Sequence, residues 1–203
     1  MEKEKKKRKF ITVTDIIIGG IVVLFTAIAF GKPVPFLDAN LYIPTREVSN
    51  QEITNFVEHD IIDIPVSKIV AKIEEKDGKP TFMVIYSSWC GYCKILMPQI
   101  IDLKKEGKLE NINLIFISID KDKMKLAEYL LSHDYDKFFT PYIIEKDVTD
   151  ALENMIMSKG RYYDGSIPYT VIFNDEGKIL LTIRGTMNKK HFLEKVTETI
   201  SNK

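Results

Sequence analysis

The sequence predicts an α/β fold: a central mixed sheet flanked by helices, carrying a helical insertion and preceded by one N-terminal transmembrane helix. Three observations carry that prediction. An apolar run over residues 79–86 leads through Trp89-Cys90-Gly91-Tyr92-Cys93-Lys94 into a helical pattern, and a second apolar run follows at residues 112–120. Strand, helix, strand in that order implies a parallel, right-handed crossover. Pro168 then opens a strand at 169–173, the turn Asn174-Asp175-Glu176-Gly177 follows, and a further strand spans 178–183, a hairpin that adds an antiparallel pair. Finally, six Lys or Arg within residues 2–9 precede a stretch, 10–30, that is apolar except for threonines, glycines and Asp15.

Taken in chain order, residues 1–9 form a basic tail and 10–30 an anchor. At about 1.5 Å per residue that stretch reaches roughly 31 Å, enough to cross a bilayer core. Asp15 lies five residues in, where it sits near the interface. A cleaved signal peptide is the alternative, because residues 16–30 suit an apolar h-region and Ala27-Ile28-Ala29 offers a small-x-small site. A retained anchor is preferred, since no polar, helix-breaking stretch precedes Ala27. Six basic residues stand before the segment and only Lys32 follows it closely, so the rest of the chain is expected in the periplasm or an equivalent extracytoplasmic compartment. The protein is then a single-pass protein of the inner membrane. Such compartments permit disulfides.

Residues 31–50 contain Pro33, Pro35 and Pro44 without periodicity and read as a linker; the folded domain is expected over 51–203. After Pro65, the spacing of Val66, Ile69, Val70 and Ile73 predicts a helix ending near Asp77-Gly78. Pro80 opens the strand at 79–86, which ends at Ser87-Ser88. Cys93, Leu96, Met97 and Ile100 fall at i, i+3, i+4 and i+7, one apolar helical face, with Cys90 at the helix start and Cys93 on the buried side. Residues 121–165 form the expected insertion, two helices at about 123–132 and 148–158 linked by 138–146. Phe192, Val196 and Ile200 place an amphipathic packing helix at 189–200.

Cys90 and Cys93 are the only cysteines among 203 residues. Two intervening residues let one helical turn bring the sulfurs within bonding distance. A first cysteine at a helix N-terminus has its thiolate favoured by unpaired N–H groups and the helix dipole. That thiolate attacks a disulfide, and the second cysteine resolves the mixed disulfide. Zinc needs four ligands, and His59, His133 and His191 share no ligand-like spacing, so no metal site is expected. Lys94 stands where covalent haem attachment needs a histidine, and no cofactor is expected. With 29 acidic and 29 basic residues the formal net charge is zero, which excludes the basic footprint of a nucleic-acid partner. An exported chain with one redox pair and no structural disulfide is suited to other proteins' thiols.

The run Trp89 to Lys94, with Pro98 five residues beyond Cys93, resembles the thioredoxin family, whose members carry a proline at that place in the helix. Ser166-Ile167-Pro168-Tyr169-Thr170 is similar to the family's cis-proline segment. The resemblance implies that Pro168 packs against the disulfide and blocks metal capture, that the Ile167 backbone pairs with an extended substrate segment, and that Trp89 covers partner surface beside the nucleophile. Gly185 resembles a family glycine near the site. Gly91-Tyr92 resembles the dipeptide of the isomerase DsbC, with Tyr92 covering the sulfur. Val84 stands where thioredoxin keeps a buried acid, leaving Asp120, Lys121 or water as proton acceptor for Cys93. Membrane-anchored relatives of the TlpA and DsbE type imply a monomer that reduces partner proteins, such as apocytochrome or metallochaperone thiols, and exchanges electrons with a membrane thiol donor or acceptor. The alternatives are a disulfide oxidase or isomerase and, in another class, a Sco-like copper-binding assembly factor with His133 as third ligand.

Overall fold

The computed structural model describes residues 45–75, 77–144 and 149–201. The chain divides into two units, Met1–Ile43 and Pro44–Lys203. The expected basic tail, anchor and cleavage pattern, with most of the linker, lie outside the described residues.

The described chain begins by fastening itself to the domain. The Arg46 N–H donates to the Ser132 carbonyl at 2.9 Å, and its Nε donates to the Leu131 carbonyl at 3.1 Å. Helix α1, Asn50–His59, starts on a capping box: Ser49 Oγ accepts from the Glu52 N–H while the Glu52 carboxylate accepts from the Ser49 N–H. Each partner satisfies an N–H that the first helical turn leaves open. The Ser49 backbone bond first, then Ser49 Oγ and Arg46, hold the Glu52 carboxyl down to about 2. Residues 46–50, expected to be linker, are therefore part of the domain; the Ser-x-x-Glu start signal outweighs the missing periodicity before it.

Strand β1, Ile62–Ile64, is followed by helix α2, Val66–Ile73, which stops short of the expected Asp77-Gly78. Strand β2, Thr81–Tyr86, leads to helix α3, Gly91–Lys105, and strand β3, Asn113–Ser118. Next come helix α4, Lys123–Ser132, a short 3₁₀ turn at Tyr135–Lys137, strand β4, Pro141–Ile144, and helix α5, Thr149–Ser158. The hairpin strands β5, Tyr169–Phe173, and β6, Ile179–Arg184, precede helix α6, Lys189–Ser201.

The strand order is β1-β4-β3-β2-β5-β6. The pairs β1–β4, β4–β3 and β3–β2 are parallel, whereas β2–β5 and β5–β6 are antiparallel, the mixed sheet that the crossover and the hairpin predict. Every residue of β2 is buried, as a strand covered on both faces must be. Its side chains alternate: Phe82, Val84 and Tyr86 join a core with α1, α3, α4 and α6, while Met83 and Ile85 join one with α2 and α5.

One expectation for residues 121–165 is corrected. The segment 138–146 is not a plain link between two helices, because Pro141–Ile144 is a strand inserted between β1 and β3. Four residues are too few to show a period, and the proline occupies the first position, where a strand tolerates a missing N–H. β1, with three residues, escapes sequence reasoning for the same reason.

Candidate active site

The buried β2 delivers the chain to Ser87 and Ser88, and the turn that follows places Cys90 as the N-cap of α3 with extended backbone, φ −80° and ψ 114°. The Cys93 N–H donates to Cys90 Sγ at 3.1 Å, and the Lys94 N–H donates to the Cys90 carbonyl at 3.1 Å. The first sulfur thus receives one of the N–H groups that a helix start leaves open. The two cysteines are joined as a disulfide, with Cα atoms 5.2 Å apart. Cys90 keeps 7% of its surface exposed and Cys93 none. Only the first cysteine keeps any exposed surface. Leu96, Met97 and Ile100 are buried with Cys93, the face that the spacing predicts, and Pro98 lies inside the helix.

Ile167 and Pro168 come to this helix start from 77 residues away. The Ile167–Pro168 bond is cis, and the Ile167 carbonyl oxygen lies 3.7 Å from Cys90 Sγ. Pro168 is buried. Its carbonyl accepts a hydrogen bond of 2.8 Å from the Gly185 N–H. Gly185 has φ +71°, a left-handed conformation that glycine adopts without Cβ strain; the chain turns there straight out of β6.

Beside the sulfur the surface is aromatic. Trp89 is 66% exposed and Tyr92 65%, with Ile95 exposed next to them. Large apolar side chains left in solvent around a reactive group mark a surface meant to be covered. Gly91 opens α3 with free space where a Cβ would stand. A hollow of about 300 Å³ adjoins Trp89, lined by Ile119, Asp120, Lys121 and Lys125.

Under the turn lies a polar cluster that sequence reasoning reached only in part. Asp120 is 5% exposed. Its Oδ2 accepts from the Ser88 N–H at 2.8 Å and from Ser118 Oγ at 2.7 Å, and its Oδ1 accepts from Ser88 Oγ at 2.6 Å. Asp120 stood among the candidate proton acceptors; Ser88 and Ser118 did not, and only the pair Ser87-Ser88 at the strand end hinted at them. Lys121, another of those candidates, is exposed. The Tyr86 hydroxyl is buried without a partner, and burial first, then the Asp120 charge, pushes its ionisation far up.

His133 does not join the cysteines. Its Nδ1 faces the Tyr129 carbonyl at 2.8 Å, and its ring stacks on Tyr135 at 5.2 Å. Among the described residues no group of three or more His, Cys, Asp or Glu is placed to hold a metal ion.

The family model described as thioredoxin-like matches residues 78–179, from the lead-in of β2 through the disulfide and the cis-proline to the start of β6. The chain belongs to the thioredoxin-like family. It is similar to the thiol-disulfide oxidoreductase ResA of Bacillus subtilis (strain 168), 24% identical over 121 residues, 58% of this chain and 60% of that protein. ResA of Oceanobacillus iheyensis is 22% identical over 187 residues, 91% of this chain and 86% of that protein. Among solved structures, a putative thiol:disulfide interchange protein DsbE from Chlorobium tepidum has a TM-score of 0.47 and 19% identity, over 63% of this chain and 81% of that one. A thioredoxin-like chain with a Cys-x-x-Cys pair and relatives so named is a thiol–disulfide oxidoreductase.

Proposed function

We propose that this thioredoxin-like protein is anchored in the membrane, with its domain on the extracytoplasmic side, and reduces disulfides in partner proteins as a monomer. The observation that carries the catalytic part is the asymmetry of the pair: Cys90 caps the helix and touches solvent while Cys93 is sealed beneath it. In the reduced protein the Cys90 thiolate, favoured by the helix N-terminus, attacks a partner disulfide and expels one partner thiolate. Cys93 then attacks Cys90 Sγ, forms the intramolecular disulfide and expels the second thiolate. Two electrons pass to the partner, and a membrane thiol donor returns them. Trp89, Tyr92 and the open backbone at Gly91 receive the partner, and Ile167, presented by Pro168, pairs with its extended segment. The N-terminal order of basic run, apolar segment and Lys32 supports the anchor and its direction.

Two measurements on the full chain test this reading. Cys93→Ser leaves Cys90 able to attack but not to be released, so it accumulates mixed disulfides with partners in cells, and Cys90→Ser accumulates none; equal trapping by both sinks the assignment of roles. A membrane-impermeant thiol reagent labels Cys90 in intact cells if the domain faces outward, and labelling only after lysis sinks the location. The direction of electron flow is read from the redox equilibrium, followed by the emission of Trp89, the lone tryptophan. A potential near about −270 mV fits a reductant, and one near about −120 to −180 mV makes the protein an oxidase or isomerase.

A further inference from the structure

The buried cluster beneath the reactive turn has no part in the exchange steps above. Asp120 sits at the end of β3, 5% exposed, and accepts three hydrogen bonds from Ser88 and Ser118. Among the described residues, no salt bridge to Asp120 is found. Ser88 is two residues from Cys90, so Asp120 is fastened to a backbone whose next-but-one Cα lies at most about 7 Å on. The Cys90 N–H in turn donates to the Ser87 carbonyl at 3.3 Å. The turn is therefore short, internally bonded and tied at one point to a buried carboxylate.

We infer that Asp120 is a positioning residue that sets the reducing strength of the pair: its carboxylate latches the Ser88-Trp89-Cys90 turn and places a buried negative charge beneath the thiolate. A like charge disfavours the charged form of its neighbour, and it acts more strongly through a buried medium than through water. The α3 N-terminus pulls the Cys90 thiol toward ionisation, and Asp120 pulls the other way. The thiolate is the form that stabilises the dithiol, so opposing it makes the pair a better reductant. The other charged groups around the turn are Lys94 on α3 and Lys121, Asp122 and Lys125 at the start of α4, all exposed; Tyr86 of β2 is buried against the same region as an uncharged hydroxyl. Burial first, then the Asp120 charge, raises the ionisation of Tyr86 on the same face.

The inference rests on thiol–disulfide exchange at Cys90 and Cys93. It is tested by comparing wild type, Asp120→Asn and Ser88→Ala as full chains, reading the pH profile of Cys90 alkylation and the dithiol–disulfide equilibrium against glutathione. Asp120→Asn keeps the volume and removes the charge; the Cys90 profile moves to lower pH by about one unit, and the equilibrium moves about tenfold toward the dithiol, about 30 mV for two electrons. Ser88→Ala keeps the charge and loses one latch bond, and both readings stay within about twofold of wild type. Unchanged readings in Asp120→Asn overturn the inference, and so does a Ser88→Ala shift equal to that of Asp120→Asn, which reduces Asp120 to a structural tether. Should Asp120→Asn fail to fold, the ¹³Cγ resonance of Asp120 in the wild-type protein decides: it moves as Cys90 ionises, and a resonance blind to that ionisation overturns the inference. A wild type with no redox activity, by contrast, removes the functional reading itself.

Discussion

Phe82, Val84 and Tyr86 of β2 face α1, α3, α4 and α6, while their neighbours Met83 and Ile85 face α2 and α5. Both cores are sealed, yet they are filled differently. The first face holds the disulfide in one core with the aromatic side chains of Phe82, Tyr86, Phe116, Tyr129 and Tyr135, and its Tyr86 buries a hydroxyl without a partner. The second face is largely aliphatic, with Ile64, Ile69, Ile73, Ile115, Ile117 and Val171, and its Tyr169 donates to the Tyr162 carbonyl at 2.9 Å. An unpaired buried hydroxyl costs about 1–3 kcal/mol. Each face retains such a group, Tyr86 on the first and Tyr163 on the second, so the two differ in aromatic against aliphatic filling rather than in unpaired hydroxyls.

The hardest blow to either face is a cavity. Phe82 meets Phe192 edge to face at 5.7 Å, which ties α6 to the sheet, and Phe173 fills the opposite side; both are fully buried. Phe82→Ala and Phe173→Ala are each expected to cost about 3–5 kcal/mol, read from urea unfolding. A loss under about 1 kcal/mol on one side only means that the faces are not comparable cores.

The hydroxyls sharpen the contrast. Tyr169→Phe removes a bonded O–H while the Tyr162 carbonyl keeps its bond from Arg184 at 3.1 Å, at a cost of at most about 1 kcal/mol. Tyr86→Phe removes an unpaired one and leaves stability unchanged or raised by a similar amount; a clear loss shows that Tyr86 is paired. Burial raises the ionisation of Tyr86, Tyr129 and Tyr135 above the free value. A raised folded pKa gives a contribution that is complete below the unfolded value, near 10, and is lost as pH rises beyond it. Wild type therefore loses stability above about pH 10, and Tyr86→Phe loses less, as pH-dependent unfolding midpoints show.

The smallest effect lies at the edge of the first face, in the capping box of α1. With Glu52 held down to about 2, its contribution is present above the free carboxyl value and is lost as pH falls toward about 2. Glu52→Gln lowers the unfolding midpoint modestly at neutral pH, and the gap to wild type closes in acid. A gap independent of pH assigns the effect to helix propensity instead.

Legibility in the sequence follows the range of the signal. β2, α3 and the β5–β6 hairpin were readable because each carries a complete period or turn within about ten residues, and the start of α3 announces itself by its cysteines. Ser49 and Glu52 also form a local signal, yet the prolines before them drew the boundary too late. β1 and β4 hold three and four residues and show a period to no one. The bonds of Ser88 to Asp120 cross 32 residues, and no local pattern names that partner.

The sequence by itself determined the chemistry: two cysteines one helical turn apart, at the end of a buried strand and the start of a helix, with a proline-led hairpin to follow. Those properties reside in side-chain type and near-neighbour spacing. Tertiary structure alone decided that Ile167 comes within 3.7 Å of Cys90, that β4 enters between β1 and β3, and that Asp120 lies beneath the reactive turn. Each of these is a meeting of distant segments, selected by how the two faces of one sheet bury their side chains together, and that free energy belongs to the assembled core rather than to any stretch of the chain.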